Sequence, residues 1–241
     1  MKCKKLKYFL KSLIHAFTLY YKVLFMSVQN THLDALQDIR KMMQRSSRFI
    51  SLSGLSGIAA GTWALIGAYF AYDWIGDYYN VYTDNETFTG SSFQQLKLNV
   101  FLLAIAVLAL AIISAFYFTW RKAGKDNIPM WDHSMKLLTI NLLIPLATGG
   151  LFILSMLQQN DWHFIAPACL VFYGLALVNG SKYTVTDIRY LGYLEIVIGL
   201  INTQFPRSGL YFWAFGFGIL HIIYGFVMWW KYERKSKPNN D

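Results

Sequence analysis

A chain of 241 residues that is 55% hydrophobic and 17% aromatic but only 15% charged lies outside the balance of an ordinary soluble domain. Its formal net charge of +9 would suggest nucleic acid in a soluble protein, yet ten of the 22 Lys and Arg residues precede Ile50 and most others fall in short loops or the tail. That distribution is the one membrane topology selects, so nucleic acid is not among the expected partners.

Residues 1–30 begin basic and turn apolar and aromatic while keeping Lys11, His15 and Lys22. No stretch free of charge there is long enough to span, and Lys22 interrupts what would be the apolar core of a signal peptide. Two readings remain open: a basic amphipathic helix lying on the membrane surface, or a translation start at Met26 with residues 1–25 a gene-model artefact. Cys3 and Cys169 fall in different environments and imply no disulfide framework.

From Thr31, followed by Asp34, the spacing reads as a helix N-terminus with an acidic first turn. Leu33, Leu36, Ile39 and Met43 then share one face, predicting a cytoplasmic amphipathic helix over 31–48. Arg40, Lys41, Arg45 and Arg48 crowd its membrane end as interface anchors for anionic headgroups, and the helix is also where a cytoplasmic protein partner would dock.

Six transmembrane spans are expected, at about 50–72, 98–120, 137–157, 163–178, 188–203 and 210–230. They make an all-α polytopic membrane domain over 49–231, between the basic segment 1–48 and a cytoplasmic tail at 232–241. Period-2 alternation is missing, so these are not the strands of a barrel. The first span carries Gly57 and Gly61 in a GxxxG, extended by Ser53, Gly54, Ala60, Ala64 and Ala68, a face for helix packing.

The connection 73–96 holds Asp73, Asp77, Asp84 and Glu86 without Lys before position 97, so it is expected as an acidic outer loop, with a formal sequon at Asn85-Glu86-Thr87. The second span is uniformly apolar and reads as a lipid-facing scaffold, with Arg121, Lys122 and Lys125 placing the next loop inside. The third contains Pro145, Gly149 and Gly150, which predict a kink and mark a candidate hinge. Asn179-Gly180-Ser181-Lys182 reads as a helix end and inner turn. The fifth span is the shortest and could be re-entrant; Phe205-Pro206-Arg207-Ser208-Gly209 turns outside, with Arg207 the one basic residue against the rule. Both termini are thereby expected to be cytoplasmic.

Charged groups inside a span are expensive and usually face a bundle interior, which singles out Glu195. Gly192, Glu195, Gly199 and Asn202 form one stripe, and Gly218, His221 and Gly225 a second on the last span. Counted from the inner side, Glu195 lies eight residues beyond Asp187 and His221 ten from Lys231, about 12 and about 15 Å at about 1.5 Å per residue. The two are level, so they are expected to meet as a candidate intramembrane polar pair. Such a pair serves either as a proton-exchanging couple in transport or as an interhelical polar clamp, and the second is the commoner use.

No GxSxG, HExxH, Walker loop or paired-carboxylate arrangement occurs, and Asp132-His133 and Asp161-Trp162-His163 have too few partners for a metal. Catalytic, cofactor and metal residues are therefore not assigned, and an enzyme is the least favoured class. The residues IRKMMQRSSRFISLSGLSGIAAG at 39–61 resemble the opening of a family of uncharacterised bacterial multi-span inner-membrane proteins, most specifically over 33–68. The resemblance implies a six-helix inner-membrane protein with no known activity, favours Met26 as the start, and carries over no functional residue. The function expected is a membrane-embedded interaction or regulatory component. The alternative is a small proton-coupled transporter or channel-like protein using Glu195 and His221. Besides Asn141, Thr148, Tyr173, Glu195, Asn202 and His221 the spans look dry, which argues against bulk solute flow. The expected partners are the lipid bilayer, a cytoplasmic protein on the 31–48 helix and a second copy of the chain as a homo-oligomer.

Overall fold

The structure is a computed structural model that describes residues 53–85, 90–125 and 131–234. The helix expected over 31–48, its anchors Arg40, Lys41, Arg45 and Arg48, and the alternatives for residues 1–25 lie outside the described residues.

Six helical rods follow one another: α1 (Gly54–Asn85), α2 (Gly90–Lys125), α3 (His133–Gln158), α4 (Ile165–Gly180), α5 (Ile188–Asn202) and α6 (Pro206–Glu233). Within α6, α-helical stretches Gly209–Trp213 and His221–Met228 are separated and followed by π-helical turns at Ala214–Leu220 and Trp229–Glu233.

Of the six expected spans, four helices are long and apolar enough to cross a membrane: Gly54–Asn80 within α1, Ser92–Lys125 within α2, α3 and α6. The helices at the fourth and fifth expected spans have 16 and 15 residues, about 24 and about 23 Å, short of a hydrocarbon core of about 30 Å. They form a hairpin instead, packed along its length on itself and at its sides on α3 and α6. The acidic connection was expected to be a loop over 73–96. α1 runs on to Asn85 and α2 begins at Gly90, because nothing between 73 and 85 breaks a helix. Tyr78 then packs its ring on Phe93, 5.8 Å between centroids, closing the α1–α2 hairpin.

Outward faces are apolar. Only 6% of the most apolar stretch of α2 is buried, and Leu102, Leu108, Ile112, Ile113, Phe116 and Trp120 are all exposed. In water such a face would be a severe liability; in lipid it is the ordinary surface of a spanning helix.

Small residues hold the inward faces together. A side chain on Gly57 would sit 3.1 Å from the Gly225 Cα, and one on Gly61 2.6 Å from the Gly218 carbonyl oxygen, so α1 and α6 meet backbone to backbone. Gly174 and Gly192 do the same between α4 and α5, where a Cβ on either would lie 2.6 or 2.7 Å from the other's carbonyl oxygen.

Polar groups fasten the rods at both ends. Glu233 Oε1, near the end of α6, accepts from the Gly54 N–H at 2.6 Å and the Ser53 hydroxyl at 3.1 Å, and lies 3.5 Å from Lys122 Nζ. A carboxylate at a helix N-terminus satisfies orphan N–H groups and meets the positive end of the dipole. At the same end Lys231 Nζ and the Tyr232 hydroxyl donate to Asp187 Oδ2 at 2.5 and 3.1 Å, tying the α4–α5 connection to α6. At the opposite end Lys97 donates to Asn160 Oδ1 at 2.8 Å and lies over the rings of Phe93 and Trp162.

α3 runs unbroken through Pro145, Gly149 and Gly150. Proline has no N–H to give the carbonyl four residues earlier, which is that of Asn141. Asn179 Nδ2, from α4, donates to that oxygen at 3.0 Å and to Asn141 Oδ1 at 3.2 Å. Gly149 is the seat of Phe172, and Gly150 faces open space. Asn141, Pro145, Gly149 and Asn179 thus join α3 to α4, where the sequence suggested a hinge and a helix end.

Asn179→Ala strands the Asn141 carbonyl and is expected to cost about 1–2 kcal/mol. In a Pro145→Ala background, where the intrahelical bond is restored, the cost should shrink. A double-mutant cycle of unfolding in detergent measures the difference, and equal costs in both backgrounds would refute the pairing.

Candidate functional site

Glu195 and Asn202 on α5 are completely buried, and both turn toward the helices packed against them, as do Gly192 and Gly199. Glu195 Oε1 lies 3.4 Å from Nδ1 of His221, which is 6% exposed. The two residues used above as depth references, Asp187 and Lys231, are themselves in contact.

The second expected stripe divides. Gly218 and Gly225 face α1, where side chains on them would meet Leu65 and the Gly54 carbonyl, while the His221 ring turns toward α4 and α5. A π-helical turn just before His221 shifts the register that a period of 3.6 assumes. It also brings the Gly216 carbonyl 3.0 Å from His221 Nδ1, an intrahelical contact five residues apart.

The remaining ring nitrogen fixes the proton inventory. Nδ1 faces a carbonyl, which can only accept, so Nδ1 carries the hydrogen and donates. Nε2 is then the acceptor for the Tyr173 hydroxyl, 2.7 Å away on α4. Phe217 stacks on His221 at 5.9 Å between centroids and packs tilted on Tyr173 at 5.0 Å, walling the pair with aromatic surface. Three helices therefore contribute to one centre: Tyr173, Glu195 and His221, with Gly216 as the backbone acceptor.

Among the described residues neither carboxylate oxygen of Glu195 has a hydrogen-bonding partner, and neither do Nδ2 and Oδ1 of Asn202. Buried polar groups are nearly always satisfied, so a fully buried, underbonded carboxyl is a functional candidate. Between these two residues lies Leu170 of α4, fully buried. A side chain on Gly199 would meet its Cβ at 3.0 Å, and one on Gly216 its Cδ2 at 2.5 Å, the same distance as from Glu195 Oε2.

The sequence singled out Glu195 and His221 by their cost in a span. It counted Tyr173 among interior polar residues without a partner, and it passed over Gly216 and Leu170. Only the extra residue in the π turn aims His221 and Gly216 at α5, and no hydropathy pattern signals it. Asp132, considered above as a metal ligand, is the N-cap of α3, accepting from the Met135 N–H at 2.7 Å.

Gly216→Ala would drive a methyl group into Glu195 and Leu170. It is expected to lower stability by about 1–3 kcal/mol, measured by thermal unfolding in detergent, while Gly150→Ala, open on all sides, leaves it unchanged or raises it. The Lys231 ammonium bonded to Asp187 holds that carboxyl below its ordinary range. A group whose folded pKa is depressed stabilises at pH above its unfolded value and ceases to do so as pH falls through the folded one. Asp187→Asn is therefore expected to lower stability at neutral pH by about 1 kcal/mol or less, because the pair is partly exposed, and to converge with the unsubstituted protein in acid.

Compared with protein families, curated proteins and solved structures, the chain gave no match.

Proposed function

We propose that the chain is an integral membrane protein that acts as an interaction or regulatory component rather than as a conduit for solutes. Four helices cross the bilayer, and the short α4–α5 hairpin lodges against α3 and α6. A hairpin whose two outer ends lie on the same side leaves the sidedness of the other helices unchanged, so the positive-inside reading still puts both termini in the cytoplasm. The resemblance over 33–68 points to a bacterial inner membrane, and the outward-facing aliphatic and aromatic side chains of α2 and α3 fit a lipid surface.

The observation that carries the reading is the closure of the polar centre. Glu195 is 0% exposed, and glycine contacts bring α4 against α5 and α6 against α1 at backbone distance around it. Two surface depressions, one lined by Phe226, Val227, Trp230 and Lys231 and one around Lys97 and Trp162, include neither Glu195 nor His221. A transporter needs a polar path reaching its site from at least one side, and the route that connects these helices is apolar apart from isolated hydroxyls.

The full chain reconstituted in phosphatidylethanolamine and phosphatidylglycerol vesicles is expected to pass potassium, glycerol and amino acids no faster than empty vesicles. Photo-crosslinkers placed in vivo along residues 31–48 are expected to capture a defined cytoplasmic protein. Solute flux above the empty-vesicle rate that disappears in Glu195→Gln would instead establish the transporter reading.

A further inference from the structure

The polar centre is closed to solutes but not symmetrically closed to protons. On one side of Glu195 the hydrogen-bonding groups continue: His221 Nδ1 at 3.4 Å, then Nε2 to the Tyr173 hydroxyl at 2.7 Å. Tyr173 and Tyr224 both pack against the cluster of Leu177, Ile188 and Leu191, of which Ile188 directly follows Asp187. The Tyr224 hydroxyl is buried without a hydrogen-bonding partner. Tyr224 lies eight residues from Tyr232 on α6 and shares with Tyr173 the surface of that cluster. Tyr232 is in turn bonded to Asp187, a partly exposed residue beside Lys231. His221, Tyr224, Met228 and Tyr232 recur along α6 at three, four and four residues, so these groups climb one face of that helix.

On the other side of Glu195 the chain of polar groups stops. Leu170 fills the space beside Gly216 and Gly199, and Asn202 lies beyond it, seven residues or about 10 Å further along α5. Among the described residues the titratable side chains facing Glu195 are Tyr173 on α4, with the Cys169 thiol one turn away, and His221 on α6, with Tyr224 next along that helix. α1 has none over residues 54–68.

We propose that Glu195 is a proton-binding site addressed from the Asp187 end of the bundle through Tyr224, Tyr173 and His221, and shut off from the Asn202 end by Leu170. The transfer balances at every atom. A proton from the aqueous phase at the Asp187 end goes to the Tyr224 oxygen, and Tyr224 passes its own proton to the Tyr173 oxygen by hydroxyl rotation or through a bridging water. Tyr173 gives its proton to His221 Nε2, and the Nδ1–H bond breaks as an O–H bond forms on the Glu195 carboxylate. Both tyrosines end as neutral phenols, and the imidazole ends neutral in its other tautomer. The reverse sequence empties the site. Binding is thus one-sided, which suits a component that senses the pH of one compartment, and it goes beyond the reading proposed above.

The test follows the infrared C=O stretch of protonated Glu195. The full chain carries 13C-labelled glutamate and sits in vesicles sorted to a single orientation by capture on a C-terminal tag. The expected carboxylic-acid band is lost in Glu195→Gln. It responds to pH steps applied on the Asp187 side and not on the other. Tyr224→Phe should slow that response at least tenfold with thermal stability retained, and Leu170→Ala should make the band respond from both sides. A band that answers equally to both sides in the unsubstituted protein, that answers to neither, or that is unaffected by Tyr224→Phe would overturn the proposal. Should Glu195→Gln fail to fold, the isotope shift still separates glutamate bands from those of aspartate. Because the readout is protonation, failure here is distinct from finding solute flux.

Discussion

Close approach of backbones at glycine is the constraint on which the rest of this structure depends. Where Gly54, Gly57 and Gly61 of α1 meet Gly218 and Gly225 of α6, and Gly174 meets Gly192, no side chain separates the helices. Lipid offers no hydrophobic incentive for helices to associate, so dispersion contacts over such smooth faces supply the attraction. The same proximity is what delivers polar groups on different helices to hydrogen-bonding range: His221 can reach Tyr173 and Glu195 only because α4, α5 and α6 are held this tightly.

Against that background the placement of polar atoms follows a consistent logic. Each end of the bundle is closed by a charged group serving a neighbour: Glu233 on the start of α1, Lys231 on Asp187, Lys97 on Asn160. The one carbonyl that Pro145 leaves without its intrahelical donor is met by Asn179. The centre departs from the rule most fully: among the described residues, both carboxylate oxygens of Glu195 and both amide atoms of Asn202 are buried without a hydrogen-bonding partner. Two completely buried side chains with every polar atom unbonded are informative, because residues that serve only packing are as a rule satisfied or apolar.

Much of this was legible in the residues themselves. Runs of apolar side chains located all six helices, and the period of the α5 stripe put Glu195 and Asn202 on its buried face. Similar spacing from Asp187 and Lys231, eight and ten residues, brought Glu195 level with His221, and those two reference residues turned out to be partners. Other features were illegible for physical reasons. Whether an apolar helix of 15 or 16 residues spans or folds back depends on its neighbours rather than its composition, so six expected spans became four and a hairpin. A π turn changes register without leaving any compositional mark, which hid Gly216. Asn179 was legible as part of a helix end, which it is, but its bond to the Asn141 carbonyl was not, because that use depends on a proline 34 positions earlier on another helix. Acidic residues after Asp73 suggested a loop, yet exposed Asp73 and Asp77 are tolerated on a helix whose other faces pack.

The bond between Glu233 and the Gly54 N–H spans 179 positions of sequence. During synthesis Gly54 emerges long before Glu233, so this bond forms only after the rest of the described bundle has been made. The first described rod packs against the last, so the helices do not stack in order of appearance. A chain that ends before Glu233 lacks the carboxylate that answers the Gly54 N–H and the Ser53 hydroxyl, and with it that tie between the two rods.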